Sequence, residues 1–166
     1  RDIPVYEDLM DYRLDILHKQ GITLTDIQNE IAKLKPLDGA KDFLDWAGER
    51  FQVAIISDTF YEFAGPLMVQ LGDPFLLCHR LIVEDDRVVG YKLRQTDPKR
   101  HSVKAFKSLD LKVIAAGDSF NDVSMLEEAD HGIFFQAPEN VRAQFPQYPL
   151  ASDYAQLQAL IEEAVG

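Results

Sequence analysis

Val113-Ile114-Ala115-Ala116-Gly117-Asp118-Ser119-Phe120-Asn121-Asp122 decides how this chain is read. Its apolar beginning predicts a buried parallel strand, and Gly117 predicts the turn that ends it. The strand end then presents two carboxylates, Asp118 and Asp122, and the amide of Asn121. Ligands of open α/β sheets collect beyond the carboxyl ends of the strands, so chemistry is expected here. Asp118 is a hard oxygen donor, and Mg²⁺ needs only one or two carboxylates when water and phosphate complete its shell. Taken alone, the segment reads equally well as a tight turn whose Asp caps the next helix.

Outward from this stretch, strands alternate with helices. Upstream, Val53-Ala54-Ile55-Ile56 is a continuous apolar run, predicting a strand buried on both faces, and Ser57-Asp58-Thr59 follows it. A helical stretch then runs to Leu71, with Pro66 expected to bend or divide it. Leu81–Val83 and Val88–Tyr91 flank Glu84-Asp85-Asp86-Arg87 as a hairpin. Asp97-Pro98 reads as an N-cap and first helical residue for a helix through Leu109. Downstream come a helix over Asn121–Ala129, a strand at Ile133–Phe135 and a last helix over Asp153–Val165. This order predicts an α/β fold, a mostly parallel, Rossmann-like sheet with helices on both faces.

The first residues differ in texture. Tyr6, Leu9, Met10, Leu14 and Leu17 recur at helical spacing, and Gly21 ends the pattern. Thr25-Asp26-Ile27-Gln28 reads as a capping box opening a second helix, whose Ile27, Ile31 and Leu34 share a face. Lys35-Pro36-Leu37-Asp38-Gly39 breaks the pattern. Residues 1–36 are therefore expected to form a partial helical cap and residues 37–166 the α/β core.

Composition excludes several classes. With 166 residues and 46% apolar content, the chain can bury one core of ordinary size. A net charge of −11 argues against nucleic acid, whose affinity depends on neutralised phosphates. No apolar run is long enough for a membrane span, and the start does not resemble a signal peptide. Cys78 is the only cysteine, expected to be buried, and suggests a reducing, cytoplasmic setting. The chain opens on Arg1 rather than Met, which predicts a fragment or a processed product.

Other residues gain meaning by position. The Ser57 hydroxyl, with backbone N–H groups opening the next helix, makes a phosphate-binding corner, unless Ser57 or Asp58 only caps that helix. Lys99 stands in a first helical turn, where a cation opposes the helix dipole, and Arg100 beside it competes for the same role. Arg13 lies among apolar positions, either reaching past them to solvent or gripping a carboxylate.

Together these residues resemble the haloacid dehalogenase-like hydrolases: a hydroxyl at one strand end, a Lys leading a later helix, then Gly-Asp-x-x-Asn-Asp at another strand end. Tyr12-Arg13-Leu14-Asp15-Ile16-Leu17 is similar to the cap helix of phosphoserine phosphatases. Ile56–Phe63 and Leu93–Arg100 resemble the branch that doubles as a homoserine phosphotransferase, and the similarity runs over essentially the whole chain. The resemblance implies Mg²⁺-dependent hydrolysis of phosphoserine, with homoserine as an alternative acceptor, in serine and threonine biosynthesis. It implies Asp118 as the metal ligand, and Ser57, the backbone at Asp58, Lys99 and Asn121 as phosphoryl and substrate contacts. Lys99 would also steady the nucleophile, Asp122 would orient the metal's shell, and Arg13 would hold the substrate carboxylate. A relative with another phosphorylated substrate is the alternative within the family.

Members of this family begin with a central strand ending in Asp-x-Asp or Asp-x-Glu, whose first Asp attacks phosphorus while the second acid protonates the leaving oxygen. Neither pattern occurs in these 166 residues. The central strand is therefore expected to be missing, between those carrying Ser57 and Asp118, leaving a chain unstable or inactive by itself. An inactive fragment that binds metal, a phospho-ligand or a partner is the competing expectation.

Overall fold

The structure, a computed structural model, describes residues 6–166, with side chains from Asp8 onward. The chain divides into two compact units. The first runs to Leu44 and resumes over Arg50–Arg94; the second holds Asp45–Glu49 and Gln95–Gly166.

The first unit opens with helix α1 (Tyr6–Gln20) and helix α2 (Leu24–Ile31), followed by α3 (Ala40–Gly48), which crosses the division. Strand β1 (Ile55–Phe60), helix α4 (Tyr61–Gln70) and the hairpin β2 (Leu76–Glu84) and β3 (Arg87–Lys92) complete it. Met10 and Leu14, one turn apart on α1, are buried with Phe60, Leu81 and Val88, so the apolar stripe read from the sequence is a packing face. The capping box of α2 is shifted from the expected one. Thr23 is the N-cap and exchanges hydrogen bonds with Asp26, whereas Thr25 bonds the Asp86 carboxylate at the hairpin tip. Asp85 and Asp86 both take positive φ, the conformation of a two-residue turn matched to strand twist.

Strand β1 begins later than expected and continues through Ser57-Asp58-Thr59. It pairs in parallel with β2, Ile56 opposite Leu77 and Phe60 opposite His79. Four residue steps on β1 thus face two on β2, so two extra residues bulge between them. Pro66 lies inside α4 without dividing it. The proline cannot donate to the Glu62 carbonyl one turn back, and Gln28 Nε2 supplies that bond instead at 2.7 Å.

The second unit contains helix α5 (Pro98–Ser108), strand β4 (Ile114–Gly117), a 3₁₀ turn (Phe120–Asp122) and helix α6 (Val123–Glu128). Strand β5 (His131–Phe135), the short helix α7 (Glu139–Arg142), strand β6 (Leu150–Ala151) and helix α8 (Tyr154–Val165) follow. Strands β4, β5 and β6 pair in parallel in that order around a core holding Val103, Leu126, Ile133 and Phe134. Asp153, expected as the first residue of the last helix, is the N-cap of α8 and accepts from the Gln156 N–H.

The α/β class and the parallel pairing agree with the sequence. The described strands nevertheless form two three-stranded sheets rather than one, and β2 pairs antiparallel with β3. β1 and β4 are each an edge strand. No helix among the described residues is long and apolar enough to cross a membrane.

Candidate functional site

The carboxyl end of β4 is built around one buried carboxylate. Gly117 closes the strand, and a Cβ placed on it would lie 2.4 Å from Asp122 Cβ, so only glycine lets Asp122 fold back this closely. Asp122 Oδ2 accepts from the backbone N–H of Asp118 (2.9 Å) and of Ser119 (3.0 Å), and from Ser119 Oγ (3.0 Å). Its Oδ1 accepts from Lys99 Nζ at 2.8 Å. Burial alone would favour the protonated acid. The Lys99 bond and charge and the two backbone donors outweigh it, holding the Asp122 carboxyl below its ordinary range.

Because Asp122 is spent on holding the turn, the turn displays other groups. Asp118 and Asn121 are exposed, and neither side chain makes a hydrogen bond or ion pair among the described residues. The Asp118 carboxylate is available to a ligand. Ser119 was not anticipated from the sequence as the clasp on Asp122, yet its Ser-x-x-Asp spacing is the signal that would have found it.

Lys99, at 8% exposure in the first turn of α5, is balanced by Asp122, which offsets the unfavourable helix dipole. Arg100 is exposed and bound to Glu128 at 2.8 Å, so the competing cation is engaged elsewhere. Asp97 is the N-cap by position, but its carboxylate accepts from Ser124 Oγ (2.8 Å) and ties α5 to α6 rather than capping. The structure therefore brings Lys99 and Asp122 together around the turn bearing Asp118 and Asn121.

Ser57, Asp58 and Arg13 belong to the first unit. Neither Ser57 nor Asp58 caps α4, whose N-cap is Phe60 and lacks a side-chain bond. Ser57 Oγ instead accepts from the Thr59 N–H at 3.2 Å inside the bulge, leaving its own proton to donate outward. Ser57 and Thr59 line a cavity of about 410 Å³ that Ile31, Phe63 and Met68 also border. Arg13 is exposed on α1, touching Met10 Sδ at 4.0 Å and pairing with no carboxylate among the described residues. His79, which no sequence pattern marked, is buried where β1 ends, its Nδ1 accepting from the Arg94 N–H at 3.1 Å. Cys78 is buried as expected, and burial pushes its thiol up to about 11.

Among the described residues no group of three or more His, Cys, Asp or Glu is placed to hold a metal. Mg²⁺ does not need such a group, since one or two carboxylates can hold it together with water and phosphate. The exposed Asp118 carboxylate, without a side-chain partner among the described residues, is of the kind that fits.

Residues 18–127 match the model of the haloacid dehalogenase-like hydrolases. The chain is 63% identical to phosphoserine phosphatase ThrH of Pseudomonas aeruginosa, over 95% of this chain and 77% of that protein. It is 61% identical to a phosphoserine phosphatase of Pseudomonas syringae, over 95% and 67%. Its fold superposes on the crystal structure of phosphoserine phosphatase from T. onnurineus with a TM-score of 0.66 at 27% identity, over 93% and 79% of the two chains. With its glycine-clasped Asp122, its buried Lys99 and a family match over most of its length, the chain belongs to the haloacid dehalogenase-like hydrolases.

Proposed function

We propose that this chain works in a Mg²⁺-dependent phosphatase that cleaves O-phosphoserine and can also pass the phosphoryl group to homoserine. The observation that carries the reading is the buried Lys99–Asp122 pair beside the unpartnered Asp118 carboxylate at a strand's end. Phosphoryl transfer asks a protein mainly for positioning and charge stabilisation, and these residues are of that kind. The relatives named above, phosphoserine phosphatases at 61–63% identity, favour the same substrate.

In this reading Asp118 holds Mg²⁺, whose charge stabilises negative charge on the phosphoryl oxygens. Lys99 adds a second positive charge, with Asp122 fixing its ammonium and the turn that carries Asp118. The Ser57 hydroxyl donates a hydrogen bond to the phosphoryl group, and the Asp58 N–H assists. Asn121 contacts the substrate, and Arg13 pairs with its carboxylate through a planar fork. Residues 1–36 act as a partial cap on a core of residues 37–166, in the cytoplasm. The aspartate that attacks phosphorus is supplied by residues other than these 166, which hold neither Asp-x-Asp nor Asp-x-Glu. That same observation favours a second reading, in which the chain binds Mg²⁺ or a phospho-ligand without turnover.

Phosphorus NMR of the full-length protein with O-phosphoserine, Mg²⁺ and homoserine separates the outcomes. Phosphate alone indicates a phosphatase, phosphohomoserine a transferase, and unchanged ester the binding reading. Arg13→Ala should raise KM for phosphoserine by about tenfold or more, the scale of one charge-assisted hydrogen bond, and leave a sugar phosphate unaffected. Equal effects on both esters would contradict the carboxylate role.

A further inference from the structure

We propose that Phe120 is a specificity-determining residue, an apolar wall against which the organic part of the phosphate ester packs; the inference rests on the phosphatase reading above. Within the turn after β4, Asp122 is buried and Ser119 is bonded to it, so neither faces outward freely. Asp118, Phe120 and Asn121 are the exposed residues. Asp118 and Asn121 are polar and without side-chain partners among the described residues. Phe120 stands between them in sequence, a phenyl ring 45% exposed on a rim otherwise made for charge.

Exposure by itself says little, because single apolar side chains are common on protein surfaces. Two further facts give this one meaning. The ring is tethered, meeting Phe145 edge-to-face with centroids 6.3 Å apart and planes at 68°. Phe145 in turn is fixed by its N–H to the Arg142 carbonyl (3.1 Å) and by its carbonyl to the Tyr148 N–H (3.3 Å). An edge-to-face pair of this kind holds a flat apolar surface in place with few rotamers to lose. The second fact is the turn itself. In a 3₁₀ helix successive side chains step by a third of a turn, so Asp122 inward leaves Phe120 and Asn121 on other sides. An ester whose phosphate meets Asn121 and a cation held by Asp118 would carry its alcohol portion along this rim, where Phe120 is the exposed apolar group.

The ligand class follows from the surface. A ring face accepts a short aliphatic carbon such as the methylene that joins serine's oxygen to its α-carbon. A bulky aromatic alcohol portion would compete for the volume the ring occupies. One methylene-sized contact in such a wall discriminates between substrates by roughly 10- to 200-fold.

The test compares kcat/KM for O-phosphoserine, glycerol 2-phosphate and 4-nitrophenyl phosphate in the full-length protein, its Phe120→Ala variant and its Phe120→Tyr variant. Phe120→Ala should raise the ratio of aryl ester to phosphoserine by about tenfold or more, and Phe120→Tyr should restore it to within about twofold of wild type. A merely structural role would lower the amount of active protein and scale all three esters equally, leaving the ratio unmoved. That unmoved ratio in Phe120→Ala overturns the proposal. A wild-type protein that cleaves the aryl and glycerol esters but not phosphoserine contradicts the phosphoserine reading alone. The ratio between the remaining two esters then decides the role of Phe120 in the same way.

Discussion

Lys99 Nζ and Asp122 Oδ1 are 2.8 Å apart, both side chains nearly sealed from solvent, while the other Asp122 oxygen holds the turn that displays Asp118. One carboxylate thus joins the start of α5 to the end of β4. A buried ion pair adds little over an apolar pair of the same shape, but losing one partner strands a charge.

Lys99→Met or Asp122→Asn should each destabilise the protein by about 3–5 kcal/mol, and the double variant by clearly less than the sum. Urea denaturation of the four proteins in the cycle measures this. Additive losses would show that the two residues act independently.

Gly117→Ala should displace the Asp122 side chain and cost about 1–3 kcal/mol or more, because the new methyl lies well inside contact distance. Gly48→Ala is the control, since its Cβ would meet nothing within 4 Å and it lies in the last turn of α3. That change should stabilise by about 0.5–1 kcal/mol. Similar effects from the two substitutions would refute the close-approach argument.

Gln28 and Pro66 should be coupled through the Glu62 carbonyl. Gln28→Ala removes the donor that replaces the proline's missing N–H, at a cost of about 1–3 kcal/mol. In a Pro66→Ala background the helix regains its own donor, so the Gln28→Ala cost should shrink. An unchanged cost would mean that the two positions are unrelated.

Burial lowers the His79 pKa from its ordinary value; the nearby Asp58 carboxylate opposes this and Arg94 reinforces it. The native state therefore favours neutral His79, while the unfolded chain takes up a proton at about pH 6.5. This contribution to stability is complete above about pH 6.5 and declines as pH falls from there toward the depressed native pKa. Urea midpoints should drop between about pH 7.5 and pH 5.5, and His79→Gln should flatten that slope. An imidazole that titrates by NMR at or above the ordinary histidine value would contradict it.

Much of the site was legible because its chemistry is local in sequence. Asp118, Asn121 and Asp122 lie in one turn, and Lys99 follows a proline that marks a helix start. What escaped the sequence depends on partners distant along the chain. Residues 57–59 read as the passage from strand to helix, yet Phe60, paired with His79, extends the strand past them. The helix cap moved from Thr25 to Thr23 because Thr25 is taken up by Asp86, sixty-one residues away. Pro66 failed to divide α4 because Gln28, on another helix, supplies the missing donor. β6 and α7 are too short to carry a periodic signal.

Phosphoserine hydrolysis by the full-length protein across a Mg²⁺ titration, wild type against Asp118→Asn, tests the proposed role of Asp118 as the metal-holding carboxylate of a phosphoryl-transfer site. Activity should vanish with chelator, return with Mg²⁺, and fall by about 100-fold or more in Asp118→Asn with the folded stability unchanged. Hydrolysis that persists in Asp118→Asn within about twofold of wild type at every Mg²⁺ concentration would contradict it.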